Sequence, residues 1–287
     1  MPQSDPRLLV STDWLQDHLG APDLRVIDAS WYLPNMGRNA RAEYEDRHIP
    51  GARFFDIDDI SDSRSELPHM APPVEKFISR MRAMGIGAGH RVVAYDGAGL
   101  FSAARVWWLV RHFGKTDVAV LDGCLPKWLA EGRPVEDDLP VLRDRHFTAR
   151  RDASLVKDVT QVAASTKLGD YQIVDARSPE RFRGEEPEIR PGLRSGHIPG
   201  SRNVYYKDLL AADGTLKEPG ALRGIFEAAG VDLDRPVVTT CGSGVTAAIL
   251  ALALERMGHA KHALYDGSWS EWGMYNDLRV ATGPADP

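Results

Sequence analysis

The residues best suited to chemistry lie in the run Val237-Val238-Thr239-Thr240-Cys241-Gly242-Ser243-Gly244-Val245-Thr246-Ala247-Ala248. A β-branched stretch ends on a thiol, two glycines flank a serine, and an apolar helical pattern follows. That order puts Cys241 where the C-terminal end of a strand meets the start of a helix. The first N–H groups of a helix have no intrahelical acceptor, and the helix dipole concentrates about half a positive charge there. A thiol in that field is expected as the thiolate, the nucleophilic form. Gly242 and Gly244 let the backbone curl round the sulfur, so the N–H groups of Gly242, Ser243, Gly244, Val245 and Thr246 can converge as an anion nest. The competing reading is a small buried apolar cysteine, the usual state of a free thiol. The Gly-Ser-Gly loop and the helix start favour the reactive one, which requires that the sulfur reach solvent. A phosphate-clamping loop would need an arginine near Ala247, and none is present.

The elements that hold this loop recur. Val26-Ile27-Asp28-Ala29-Ser30 matches Ile173-Val174-Asp175-Ala176-Arg177, and His48-Ile49-Pro50-Gly51 matches His197-Ile198-Pro199-Gly200. Leu121-Asp122-Gly123 with Trp128 matches Tyr265-Asp266-Gly267 with Trp272. Blocks in one order at a nearly constant offset of about 145 residues indicate two copies of one fold. In the same register Arg91 to Gly99 aligns with the Cys241 segment and sets Asp96 opposite the thiol. One copy carries the nucleophile, and the other has lost it.

Within each copy short β-branched runs alternate with helical patterns, which predicts an α/β fold with a mainly parallel sheet and helices on both faces. In the second copy strands are expected near 171–175, 202–204, 236–240 and 262–265, with helices near 178–183, 219–229, 244–257 and 269–274. The helix after Cys241 is apolar nearly all round, so it should be buried, with Gly258 as its stop. Its counterpart runs from about Phe101 to Gly114. Domains are expected over 1–132 and 156–287, joined by a charged, proline-bearing linker at 133–155. Open α/β sheets bind ligands at the carboxyl ends of their strands, where Cys241 falls.

These segments resemble the rhodanese superfamily, specifically its two-domain sulfurtransferases. Cys-Gly-Ser-Gly-Val-Thr-Ala at 241–247 looks like the loop of the 3-mercaptopyruvate-using members, whereas thiosulfate-using members carry basic residues after the cysteine. Asp28 to Pro34, Arg47 to Ala52, Phe54 to Asp58 and Tyr265 to Trp272 also match, so the resemblance covers about residues 8–275. It implies two tandem rhodanese-like domains, the first catalytically inactive, and a persulfide carried on Cys241. Arg181 and Arg190 fall on the family's substrate-binding arginines. Blind to the family, both read more readily as solvated partners of the neighbouring glutamates, although guanidinium forks suit a carboxylate better than lysine does. Asp58 and His69 fall on an aspartate and histidine that approach the loop serine, here Ser243, as a proton relay. Without the family, they read as a loop histidine and a solvated or capping aspartate.

The absence of Lys and Arg from residues 241–249 has independent sense, because side-chain cations would favour a compact dianion such as thiosulfate. The resemblance implies sulfur transfer from 3-mercaptopyruvate to a thiol, thioredoxin among the options, or to cyanide. A thiosulfate:cyanide sulfurtransferase and a non-catalytic sulfur carrier or binding module are the alternatives.

The remaining features set bounds. The chain has 287 residues, 43% of them hydrophobic and 26% charged, and a formal charge of −6, which argues against nucleic acid or an anionic membrane as partner. No apolar run is long enough to span a membrane, and Met1 to Pro6 is too polar for a signal peptide. Two distant cysteines fit a reducing cytoplasm better than a disulfide framework. No Cys/His cluster has zinc spacing, and no organic cofactor is called for, since the protein itself carries the sulfur. Asp28 and Asp175 read as structural acceptors, and His48 and His197, present in both copies, as marks of the fold. Trp31, Trp107, Trp108 and Trp128 read as core, and Cys124 as a buried spectator.

Overall fold

The computed structural model describes residues 8–285. It divides into two compact units. Unit 1 comprises residues up to Ser63, Ala71–Asp152 and Ala211–Leu216; unit 2 comprises Arg64–Met70, Ala153–Leu210 and Lys217 onward. Each unit therefore includes a short segment drawn from the other half of the chain.

Unit 1 runs β1 (Leu9–Val10), α1 (Thr12–His18), β2 (Leu24–Asp28), α2 (Ala40–Asp46), β3 (Arg53–Phe54), α3 (Val74–Ala83), β4 (Arg91–Tyr95), α4 (Ala103–His112), β5 (Val118–Leu121) and α5 (Cys124–Ala130). Unit 2 runs β6 (Val156–Lys157), α6 (Val159–Leu168), β7 (Gln172–Asp175), α7 (Pro179–Arg183), β8 (Arg202–Asn203), α8 (Pro219–Ala228), β9 (Val237–Thr240), α9 (Ala247–Arg256), β10 (His262–Tyr265) and α10 (Ser268–Trp272). The sheets have the same order, β1-β5-β4-β2-β3 and β6-β10-β9-β7-β8, and every neighbouring pair is parallel. Strands buried from both sides read as unbroken apolar runs, which is why Val118–Leu121 and Val237–Thr240 are buried throughout.

The order places a topological switch beside the strand that ends at the thiol. From β7 the chain leaves outward to β8, and from β9 it leaves the other way to β10. Asp175 pairs with Thr240 across that point. The crevice outside such a switch is where open α/β sheets hold ligands.

Several expectations need adjustment. The helix after Cys241 starts at Ala247 rather than near Gly244, because Gly242 to Thr246 are spent on the loop; Ala247 to Leu254 are all buried, as its apolar surface requires. Gly258 ends it at φ 80. The sequence reading missed β6 and α6, although Asp158 and Gln161 form a reciprocal capping box at the α6 start. The expected linker is no free tether. Up to Asp152 it runs along unit 1: Phe147 is 3% exposed, Ala88 N donates to His146 O at 3.0 Å, and Arg150 N to Phe113 O at 3.1 Å. Trp107, Trp108 and Trp128 are core, but Trp31 is half-buried, stacked on Phe101 with centroids 6.2 Å apart.

His48 and His197 serve the fold alike. Their Nδ1 atoms lie 2.7 Å from Tyr44 O and 2.8 Å from Phe182 O, and their rings stack on those same residues. Asp28 accepts from Ser30 N at 2.8 Å, and burial raises its carboxyl from the usual 3.8 to about 6. An acid raised on folding favours the native state at low pH and loses that advantage as pH climbs through the folded value. Stability should therefore decline between about pH 4 and about pH 6, and Asp28→Asn should flatten that part of a melting-temperature profile.

Candidate active site

Unit 1 shows what the duplicated loop is built to do. After β4 the chain turns round Asp96, which is fully buried. One carboxylate oxygen accepts from the N–H groups of Ala98 and Gly99 at 2.9 and 3.0 Å. The other accepts from Phe101, Ser102 and Ala103 at 2.7, 2.9 and 2.9 Å. Five amides on one carboxylate form an anion nest that ends in the first turn of α4.

In unit 2 the same turn surrounds Cys241. Gly99 and Gly244 occupy matching places with φ 87 and 77, a conformation that a Cβ would strain. The outside of the loop is anchored by the segment after β10. Trp269 N donates to Cys241 O and Ser270 N to Gly242 O, both at 2.9 Å; Ser270 Oγ adds a second bond to Gly242 O at 2.7 Å. Cys241 N donates to Ser268 Oγ at 3.3 Å, and that hydroxyl donates to Tyr265 O at 2.8 Å. These bonds hold the Cys241 and Gly242 carbonyls on the side of the segment after β10. The sequence reading matched Tyr265 to Trp272 to the family but gave Ser268 and Ser270 no role. Their signal was the alternation of serine with tryptophan just past a strand, which by itself points to no partner.

The thiol is more enclosed than expected, since Cys241 is only 2% exposed. Ser243, Gly244 and Val245 are buried with it, while Gly242 and Thr246 are half-buried. Two guanidiniums stand beside Gly242. A Cβ on Gly242 would lie 3.4 Å from Arg181 Nη2 and 3.9 Å from Arg190 Nη1. Arg181 comes from α7, a five-residue helix opened by Pro179 and closed by Gly184 at φ 77. Its Nη2 donates to Glu188, and its Nε is buried with no acceptor among the described residues. Arg190 Nη2 lies 3.5 Å from Ser243 Oγ, the outer limit of a hydrogen bond.

His69 belongs to unit 2 by its contacts, and its Nδ1 lies 3.0 Å from Ser243 Oγ. Its backbone is left-handed at φ 61, uncommon for a residue with a side chain and costing of order 1–3 kcal/mol. Asp58 lies in unit 1, where its carboxylate accepts from Trp31 Nε1 at 3.1 Å.

Cys124 is the unit 1 counterpart of Ser268. Both are left-handed, at φ 53 and φ 50, and both donate to the third carbonyl upstream, Cys124 Sγ to Leu121 O at 3.3 Å. Burial pushes its thiol well above the usual range, so it stays neutral and inert.

The rhodanese-like domain family matches residues 11–131 and 158–275. The chain belongs to that family. Human 3-mercaptopyruvate sulfurtransferase is 44% identical over 274 residues, covering 93% of this chain and 92% of the relative. Thiosulfate sulfurtransferase of Cricetulus griseus is also 44% identical, over 273 residues, covering 93% and 92%. The crystal structure of SseA from Escherichia coli, described as a 3-mercaptopyruvate sulfotransferase with the rhodanese fold, aligns with a TM-score of 0.84 at 40% identity, covering 91% of this chain and 98% of that one.

Asp96→Ala should cost roughly 3 kcal/mol or more, because several buried N–H groups lose their acceptor together. Urea unfolding should show a lower midpoint, and Asp96→Asn, which keeps one acceptor oxygen, should fall between. Native-state alkylation followed by peptide mass should leave Cys124 unmodified until the protein is unfolded.

Proposed function

We propose that this protein is a 3-mercaptopyruvate sulfurtransferase that carries sulfur as a persulfide on Cys241 and hands it to a thiol or cyanide. The observation that carries the reading is the meeting, in unit 2, of the Cys241 loop, two guanidiniums beside Gly242, and a Ser243–His69 hydrogen bond at 3.0 Å. The Arg181 and Arg190 guanidiniums hold the carboxylate of the keto-acid. The Cys241 thiolate attacks the donor sulfur, a sulfur–sulfur bond forms, and the carbon–sulfur bond breaks with its electron pair leaving on the pyruvate enolate. The proton that the donor thiol gives up is the one the enolate carbon needs. Ser243, hydrogen-bonded to His69, is placed to pass it. The amides of Gly242 through Thr246 stabilise the thiolate and then the persulfide. An acceptor thiolate next attacks the terminal sulfur and frees Cys241, so the kinetics are ping-pong.

In this reading residues 156–287 form the catalytic domain, and residues 1–132 the silent one, with a carboxylate in the place of the thiol. The cytoplasm is the proposed location, because its reducing poise keeps both unpaired cysteines free and supplies acceptor thiols such as thioredoxin. Thiosulfate is the second donor to consider, given the Cricetulus relative; the lack of a cation within residues 241–249 favours the mercapto acid.

Intact mass after incubation with 3-mercaptopyruvate should show one added sulfur atom with release of pyruvate, and Cys241→Ser should show neither. Absence of both in the parent protein would leave a binding module. A higher kcat/KM for thiosulfate than for 3-mercaptopyruvate would reverse the choice of donor. His69→Asn and Ser243→Ala should lower kcat by about 10²-fold or more, the usual share of positioned proton transfer, while removal of the Arg190 guanidinium should act mainly on KM.

A further inference from the structure

A separate grouping of charge lies in unit 1, at the amino-terminal ends of its strands, the opposite edge of the sheet from Asp96. The turn Gly85-Ile86-Gly87-Ala88-Gly89-His90 leads from α3 into β4 and gathers basic side chains from several segments. Arg25 of β2 donates from Nε to Gly85 O at 3.3 Å, and from Nη1 to Pro22 O and Leu24 O at 2.9 and 2.6 Å. Lys115, just before β5, donates from Nζ to Ala88 O at 3.0 Å. His90 Nδ1 accepts from Gly87 N at 2.8 Å. A Cβ on Gly87 would lie 3.2 Å from Arg145 Cβ and 3.6 Å from His90 Cε1. Arg53 opens β3, which pairs with β2. None of these five groups makes an ion pair among the described residues.

The five also act on one another. Burial lowers the Arg25 guanidinium from its usual range, the Arg145 charge adds to that, and Asp23 partly offsets it. Burial and then Arg25 lower Arg53. Burial lowers the Lys115 ammonium against the pull of Asp117. The His90 imidazole is lowered by burial, then by Arg25, Arg145, Lys115 and Arg53. The carboxylates on these segments are exposed to water: Asp23 and Asp144 form no ion pair among the described residues, and Asp117 lies 3.5 Å from Arg91. Positive charge is thus crowded here in a chain whose formal charge is −6. Unit 2 shows that the fold does not require it. Gly230 matches Gly85, with φ 77 and 68. Gln172 takes the place of Arg25 and bonds in both directions to the Asp232 backbone, at 2.7 and 2.8 Å. His259 takes the place of Lys115, with Nδ1 2.9 Å from Leu233 O. Asp232 and Asp234 stand where unit 1 has Gly87 and Gly89. The turn needs polar partners at these places, and unit 1 alone supplies them as arginine and lysine.

We propose that the turn at 85–90 of unit 1, with Arg25, His90 and Arg145 as its contact groups and Lys115 and Arg53 adding to its field, binds a compact, multiply charged phosphate group, free or as a monoester. Guanidinium forks match phosphate oxygens two at a time, and a phosphate brings enough charge to answer several cations, whereas a single carboxylate leaves most of them unmatched. Ala88 and Gly89 at the tip of the turn are exposed, and nothing lies within 4 Å of a Cβ on Gly89, so a ligand can approach the backbone closely there. Arg145 is exposed, and Arg25 and His90 are half-buried. Lys115 is buried and contributes charge rather than contact.

The full chain is titrated by calorimetry with pyrophosphate, inorganic phosphate, phenyl phosphate and acetate. The His90 ring is followed by nuclear magnetic resonance, its signals assigned with His90→Asn. Pyrophosphate should bind saturably with a Kd below about 1 mM, and acetate about tenfold more weakly or worse. Bound pyrophosphate should shift the His90 signals and raise the imidazole pKa, because an anion opposes the cations around it. Arg25→Gln, which installs the unit 2 residue, and Arg145→Glu, at an exposed position, should each raise the Kd about tenfold or more. Should Arg25→Gln not fold, as judged by circular dichroism, Arg145→Glu decides alone. The Cys241 loop has guanidiniums of its own, so the titration is repeated in an Arg190→Ala background, where the His90 response should persist. Loss of binding in that background, with none in Arg25→Gln or Arg145→Glu, would put the anion beside Cys241 and overturn the proposal. Absence of saturable binding, or acetate binding as tightly as pyrophosphate, would overturn it too. Tighter binding of phenyl phosphate than of inorganic phosphate would assign the site to esters, and the reverse order to the free ion.

Discussion

The structure of unit 1 depends on one constraint: a turn of backbone whose amides all point at a single group needs an anion there. Five converging N–H dipoles without an acceptor would be costly, so the turn and its anion must come together. In unit 1 the chain supplies the anion as Asp96. In unit 2 the same position holds the Cys241 sulfur. Much of the surrounding structure serves that turn: a left-handed glycine in each copy, and beside the Cys241 loop a pair of serines that pull its carbonyls outward. Unit 1 is thus a picture of the nest filled, with a carboxylate at the position where unit 2 has a thiol.

A second buried electrostatic system stands behind the first. Asp175, Arg177, Glu188 and Arg181 form a chain of alternating charge running from the end of β7 to the mouth of the loop. Removing one partner of a buried pair leaves an unmatched charge, typically at a cost of about 3–5 kcal/mol. Such a chain resists rearrangement for that reason, and it fixes the Arg181 guanidinium in place. In unit 1, Tyr32, Arg38 and Glu43 cover the matching position instead. The phenol donates to Glu43 at 2.7 Å, Arg38 reaches Gly97 O at 3.2 Å, and a Cβ on Gly97 would meet the Tyr32 hydroxyl at 2.2 Å. Where one copy holds charged forks with an unserved donor, the other is closed by an aromatic lid.

What could be read from the chain before any coordinates was the part that depends on local pattern. Repeated strand ends, β-branched runs and the Cys-Gly-Ser-Gly loop are contiguous, so the duplication, the parallel α/β class and the position of the thiol at a strand terminus were all legible. So was the burial of the helix after it, because an apolar surface on every side leaves no face for water. The edge strand β6 was illegible, since two residues carry no periodicity, and α6 was overlooked despite its capping box. The linker at 133–155 looked free by composition, yet the backbone bonds of Ala88 and Phe113 hold it to unit 1 as far as Asp152.

Roles that depend on pairing across the chain were decided by tertiary structure alone. Glu188 looked like one more solvated acid in a run of glutamates, and only folding showed it sealed between two arginines. Cys124 and Ser268 differ in type and share a geometry, which no string comparison displays. The contact of His69 with Ser243 joins residues 174 positions apart in the chain. Sequence specifies which groups exist and the local turn each can adopt, because those depend on neighbours a few bonds away. Which charge meets which, and how deeply, depends on distance through space and on the exclusion of water, and those are properties of the packed chain.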